Sequence, residues 1–219
     1  MLNLVPQNQQ TDGRAQILCL GAHCDDIEIG CGGNILKLIE QYKKATVHWV
    51  VFSSDEERGK EARESATMFL SQAESKNILI KTFTASFFPY QGADIKADFE
   101  RLKQEVSPNI IFTHYRNDLH QDHRTISELT WNTFRDHLIF EYEIPKYDGD
   151  FGSPNSFVHL DDAIVRKKIA FIMESFRSQR GKHWFDEETF TAVLRLRGME
   201  SCSPAKYAEA FYCRKMVLA

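Results

Sequence analysis

The chain has 219 residues, 42% of them hydrophobic and 26% charged, which suits one globular domain with an ample core. A net charge of −4 and a pI near 6.1 exclude a dedicated nucleic-acid surface. No apolar run approaches the roughly 18 residues of a membrane span, and five cysteines without disulfide spacing point to a reducing cytoplasm.

The opening MLNLVPQNQQTDGRAQ lacks a basic n-region and a long apolar h-region, so residues 1–15 read as a loose tail rather than a signal peptide. QILCLGAH (Gln16–His23) is a short apolar run ending at a turn, the pattern of a buried parallel strand. NILKLIEQYKK then places Ile35, Leu38, Ile39 and Tyr42 on one helical face. TVHWVVFSS (Thr46–Ser54) is a second strand, followed by a charged helix over Asp55–Ala73, and NILIKTF (Asn77–Phe83) is a third strand. A helix over Asp94–Val106 precedes a fourth strand, PNIIFTHY (Pro108–Tyr115). After the polar loop RNDLHQDH come a helix over Arg124–His137 and a fifth strand, LIFEYEIP. Lys146–Phe157, KYDGDFGSPNSF, is a long turn-rich loop suited to a substrate lid. A helix over Asp161–Arg180 and a less regular end complete the chain.

Strands alternating with helices predict a single α/β domain over 1–219, a Rossmann-like, mostly parallel sheet with helices on both faces. Ligands of such sheets gather at the carboxyl ends of the strands, which brings together the turn after Leu20 and the loop after Thr113. The first holds His23-Cys24-Asp25-Asp26 and the second His120-Gln121-Asp122-His123. A spacing of three in a tight turn or helix start puts the first and fourth side chains on one side, so His23 and Asp26 can share an ion with a third ligand from the second loop. Two histidines and one carboxylate leave an open position, the pattern of catalytic zinc, whose bound water has a pKa of about 7. Ferrous iron suits the same donors. Asp25 is then placed as general base, and a histidine not spent on the metal as a donor to a carbonyl or a leaving amine.

Each cluster alone has a plainer reading, a solvated turn in which Asp26 caps the next helix. Their coincidence at two strand ends of one sheet favours the metal site. The glycines after the first strand do not form G-x-G-x-x-G, and two carboxylates there would repel a pyrophosphate. They instead let the following helix approach the sheet closely. Cys24 and Cys31 read as small neutral side chains, and His114 as an orienting residue at the end of the fourth strand.

AHCDDIEIGCGG resembles the AHPDDxExGCGG motif of the LmbE-like, or PIG-L, family of metal-dependent N-acetylglucosaminyl deacetylases, and HQDHR resembles its second motif, HPDHR. RGKE at Arg58–Glu61 resembles the R-x-x-E that opens the family's second helix, and RLRG…KYAEAF (Arg195–Phe211) its carboxyl-terminal RG…YAEAF. The resemblance implies that His23, Asp26 and His123 hold the metal, that Asp25 is the general base, and that His120 stabilises the oxyanion. Asp122 would orient a histidine from behind, and Arg58 would face the substrate. Cys24 and Gln121 stand where the family has proline, which predicts less rigid loops and a site open to oxidation at Cys24.

The expected reaction is zinc-dependent hydrolysis of an N-acetyl group from a small-molecule amino sugar or amino-sugar conjugate. Arg58, Arg116, Arg124, Lys182 and Arg197 are candidate phosphate or nucleotide contacts, and Tyr142, Tyr147 and Trp184 candidate platforms for a sugar ring. The alternatives are an amidase acting on a sugar–thiol conjugate or antibiotic intermediate, and a non-catalytic sugar- or nucleotide-binding domain. Binding alone would not need Asp25, and a two-metal phosphoesterase would want more carboxylates. The sequence sets no oligomeric state.

Overall fold

Arg14–Gly21 forms β1 because an almost unbroken apolar run can be buried on both faces of a parallel sheet. In the computed structural model, which describes residues 13–217, this strand is central. The part of the expected amino-terminal tail before Gly13 lies outside the described residues. β2 (Lys44–Val51), β3 (Ser75–Ile80), β4 (Ile110–His114) and β5 (Leu138–Tyr142) run parallel to it in the order β3-β2-β1-β4-β5. Strand order reverses between β1 and β4, so their carboxyl ends flank the crevice where such sheets bind ligands.

The carboxyl-terminal third holds what periodicity did not reveal. β6 (Ser156–Leu160) and β7 (Tyr207–Cys213) extend the sheet, with β7 antiparallel to both β5 and β6. The helix α6 (Glu187–Glu200) stands where an irregular end was expected. Its apolar side is narrow, with Phe190 and Leu194 buried, so the helical pattern is faint.

Helices cover both faces. α1 (Asp26–Gln41), α2 (Glu56–Phe69) and α5 (Asp162–Ser175) pack with α6 over one core, which contains Ile17, Trp49, Phe69 and Phe176. α3 (Gly92–Glu105) and α4 (Gln121–Thr133) cover the other, over Leu20, Phe52, Phe99 and Ile126. No helix among the described residues is long and apolar enough to cross a membrane.

α1 begins at Asp26, well before the expected apolar face, because the glycine cluster lies inside it. A Cβ at Gly30 would overlap the Tyr142 ring of β5, so glycine is what lets the helix lie this close to the sheet. At mid-helix a buried ion pair enters the hydrogen-bond ladder. Gly33 and Asn34 N–H donate to Glu209 of β7 at 2.7 and 2.6 Å, while Lys168 Nζ of α5 donates to the Ile29 carbonyl at 2.7 Å. Lys168 and Glu209 meet at 2.6 Å. The KYAEAF segment thus fastens the helix whose first turn carries the carboxylates of the site.

Candidate metal centre

The turn after β1 delivers His23, Asp25 and Asp26, and the loop after β4 delivers Asp118, His120, Asp122 and His123. Neither carboxylate of the first turn caps α1. Asp25 occupies the cap position without a side-chain cap bond, and Asp26 Oδ2 accepts the His23 N–H at 2.6 Å. The capping reading of Asp26 is therefore corrected: both acids are held for something else.

His23 Nδ1 lies 3.1 Å from His123 Nε2 and 3.4 Å from Asp26 Oδ2, and His123 Nε2 lies 3.6 Å from Asp26 Oδ1. The far nitrogens fix the tautomers. His23 Nε2 meets Asp122 Oδ2 at 3.1 Å, and His123 Nδ1 meets Asp118 Oδ2 at 2.9 Å. Burial disfavours charge on Asp122, but its bonds from His23 and from backbone N–H groups hold it below the usual carboxylate range. Burial likewise opposes charge on Asp118, where His123 and Lys146 more than offset it. An ionised carboxylate only accepts, so each histidine donates outward through its far nitrogen and its near nitrogen is the one that can face a cation.

Once His23 gives up its inward proton, three electron-pair donors converge. Their spacing is close to the roughly 3.3–3.6 Å that a tetrahedral ion with bonds of about 2.0–2.2 Å imposes on its ligands. Electrostatics agree. Burial alone would lower the His23 pKa, yet Asp26 and Asp122 raise it to about 9, so the cluster attracts positive charge. His123, fully enclosed and beside His114, is pushed down to about 3 and stays neutral. Burial resists charge on Asp26, but the surrounding histidines hold it well below the usual range. The donor set fits a divalent cation.

Two further histidines border the cluster, giving the donor groups His23–His120–His123 and Asp26–His114–His123. His114 Nε2 accepts the Ala22 N–H at 2.9 Å, which spends its lone pair on orienting the first turn. His120 is the N-cap of α4 and its Nδ1 accepts the Asp122 N–H at 3.2 Å, so the neutral ring carries its proton on Nε2. Burial and the charge of His23 lower its pKa, favouring that neutral donor.

Asp25 is almost wholly buried. Its Oδ1 accepts from Arg58 Nη2 at 2.8 Å, and its Oδ2 has no protein partner. Burial raises its pKa, with Arg58 opposing, which keeps its basicity above that of an ordinary aspartate. Arg58 thus sits on Asp25 itself, a link no motif spacing announced. Asp118 was also missed by sequence reasoning, although it orients His123 and accepts from His120 N–H and Lys146 Nζ. Its only signal was its place in the same polar loop.

Other expectations are corrected. Cys24 is fully buried, donates to the Ser53 carbonyl, and has its thiol pushed up to about 12 by burial, so it does not open the site to oxidation. Gln121 Nε2 donates to the Ser86 carbonyl, replacing proline's stiffness with a cross-loop bond. Arg197 is buried on Glu143 and Glu200, Arg124 bonds the Asp118 and Leu119 carbonyls, and Lys182 lies over Trp184, so these are engaged within the protein. Tyr142 is buried with its hydroxyl on the Leu20 carbonyl and is no sugar platform.

The family profile of GlcNAc-PI de-N-acetylase, PIG-L, matches residues 18–134, which span both halves of this cluster. The chain belongs to the PIG-L family. Its clustered histidines and aspartates form a divalent-metal site of the kind a metal-dependent amide hydrolase uses. Solved structures share the fold. The conserved protein TT1542 from Thermus thermophilus is 21% identical, with 94% of this chain and 97% of that chain covered and a TM-score of 0.71. N,N'-diacetylchitobiose deacetylase from Pyrococcus horikoshii is 20% identical, covered over 94% of this chain and 86% of its own, with a TM-score of 0.69. GalB, the 4-carboxy-2-hydroxymuconate hydratase from Pseudomonas putida, reaches 0.67 at 16% identity over 94% and 98%. A hydratase among these likenesses means that the reaction has to be argued from the site.

Proposed function

We propose that this PIG-L member removes the N-acetyl group of an amino sugar or amino-sugar conjugate, with zinc or ferrous iron held by His23, Asp26 and His123. The observation that carries the reading is the convergence of three ligating atoms, of His23, Asp26 and His123, with a carboxylate oxygen on the neighbouring residue, Asp25 Oδ2, that has no hydrogen-bond partner in the protein. A cation bound there polarises a carbonyl and lowers the pKa of water to about 7.

Asp25 takes the proton of the attacking water through Oδ2, while Arg58 on Oδ1 fixes the carboxylate's orientation. His120, its Nδ1 engaged by the α4 backbone, donates from Nε2 to the oxyanion that develops on the acetyl oxygen. The carbon–nitrogen bond then breaks, the proton held by Asp25 passes to the nitrogen, and acetate and a free amine leave. Asp122 and Asp118 act from behind, each holding one histidine in the tautomer that faces the cation. Arg58 would also border the substrate, beside the loop after β5, whose Lys146 and Asp150 bond Asp118 and the Leu119 N–H.

Acetate release by zinc-loaded protein over N-acetylhexosamines and their conjugates tests the reading. Asp25→Asn should lower kcat by about 10²–10⁴-fold with the metal still bound. Full activity in that variant, or no release from any N-acetyl sugar by metal-loaded protein, would overturn it.

A further inference from the structure

The two histidines that face the cation are oriented by aspartates that are themselves held in different ways. Asp122, behind His23, is fixed by main chain: the Ser86 and Phe88 N–H groups donate to it at 2.5 and 3.2 Å. Asp118, behind His123, is fixed by a side chain from another loop. Its Oδ1 accepts the His120 N–H at 2.8 Å, while its Oδ2 is shared by His123 Nδ1 and Lys146 Nζ, each at 2.9 Å.

The topology explains how that lysine arrives. β5 lies beside β4 in parallel register, and the Tyr115 N–H prolongs the pairing onto the Tyr142 carbonyl, so the loops that follow leave the sheet side by side. Gly149, at φ +61°, turns the second loop back without strain, and Asp150 returns to Lys146 at 2.5 Å and to the Leu119 N–H at 2.6 Å. Just beyond, the Gly152 N–H donates to Glu143 at 3.0 Å, and a Cβ at Gly152 would overlap the Tyr212 hydroxyl. The lysine side chain is 11% exposed, and those of Asp118 and Asp150 are 2% and 7% exposed. Such a buried ion cluster gains little stability over apolar side chains of the same volume, so what it supplies is position. Two donors on Oδ2 and one on Oδ1 hold the Asp118 carboxylate in one plane. Both acids bond the same ammonium, so without it they repel across a buried gap and Asp118 is driven off His123.

Resting on the metal-site part of the deacetylase reading, we propose that Lys146 is a positioning residue for that site, acting through Asp118 on His123. Its own bonds go to Asp118, Asp150 and the Ile144 carbonyl, none of them a ligand. Two accounts of this lysine give opposite signs. As a bare positive charge beside a cation it opposes binding, and its removal tightens zinc. As the brace of Asp118 it supports binding, and its removal loosens zinc by misaligning His123.

Zinc affinity, read by competition with a chelator, separates the two. Lys146→Met should weaken it about tenfold, the lower end of what partners that orient a ligand contribute. Lys146→Arg, which keeps a cation between the acids, should recover most of that loss. In an Asp118→Asn background Lys146→Met should cost nothing further, because the path through Asp118 is already cut. Melting of the metal-free proteins reports folding separately. If Lys146→Met does not fold, Lys146→Met/Asp150→Asn, which removes one charge of each sign, takes its place. The brace predicts the same weakening there, whereas a charge effect alone predicts almost none. Equal or tighter zinc binding in the variants, or a fully additive loss in the Asp118→Asn background, overturns the inference and leaves the deacetylase reading intact. Wild-type protein that holds no zinc overturns the metal site and the inference together.

Discussion

Helix α1 meets two buried charge clusters, one at its middle and one at its first turn. At the middle, Lys168 and Glu209 meet each other and the backbone groups of Ile29, Gly33 and Asn34, so every donor faces an acceptor. At the first turn, His23 Nδ1, Asp26 and His123 Nε2 face one another with one exchangeable proton, that of His23, among them, and the far nitrogens are turned outward to Asp122 and Asp118. Burial is similar, so desolvation does not separate them. Complementarity does. A cluster whose charges cancel internally is complete when the chain folds, whereas one built from lone pairs is completed by a cation.

The sharpest way to break the comparison is to unbalance the closed cluster. Lys168→Met leaves Glu209 buried without its partner and should cost about 3–5 kcal/mol of stability. Chemical denaturation would read it, and added zinc should not restore the wild-type difference. If zinc did restore it, the two clusters would not be independent.

A smaller effect is expected in the open cluster. Asp118→Asn removes the ionised acceptor behind His123, so zinc affinity should fall about 10–100-fold, measured by competition with a chelator, while the metal-free fold persists. An unchanged affinity would remove Asp118 from the account.

The third prediction concerns protons. In protein stripped of metal, His23 has its pKa raised from 6.5 to about 9, so its protonated form stabilises the fold fully below about pH 6.5 and this contribution is lost as pH rises through 9. The same proton competes with the cation. Zinc affinity should therefore rise about tenfold per pH unit between 7 and 9, with about one proton released per ion at pH 7. Calorimetry in buffers of different ionisation enthalpy measures that proton, and a value near zero would mean that His23 is already neutral before the ion binds, against its raised pKa.

The sequence was informative wherever contacts are local or strands carry their own pattern. β1 to β5 and their crossover helices were readable because near-continuous apolar runs and 3.6-residue periodicity need no partner to be recognised. His23 and Asp26 share a turn, and His120, Asp122 and His123 share a helix start, so spacing already grouped them. β6, β7 and α6 were not readable. The strands are short, half-exposed or lodged at the sheet's far side, and their pairing was set by neighbours distant along the chain.

What sequence by itself determined, then, was the chemistry of the donors and the mostly parallel sheet whose strand ends carry them, while the strand order came from the fold. Tertiary structure decided how each group is used. Arg58 lies 33 residues from Asp25 and Glu209 lies 176 from Gly33, yet the first pair holds a buried carboxylate of the site and the second fastens the helix. It also decided that Arg197 and Tyr142 are interior and that Cys24 is shielded. A side chain's type fixes what it can donate, accept or bury, but its partner and its protonation state follow from neighbours that only the folded chain supplies.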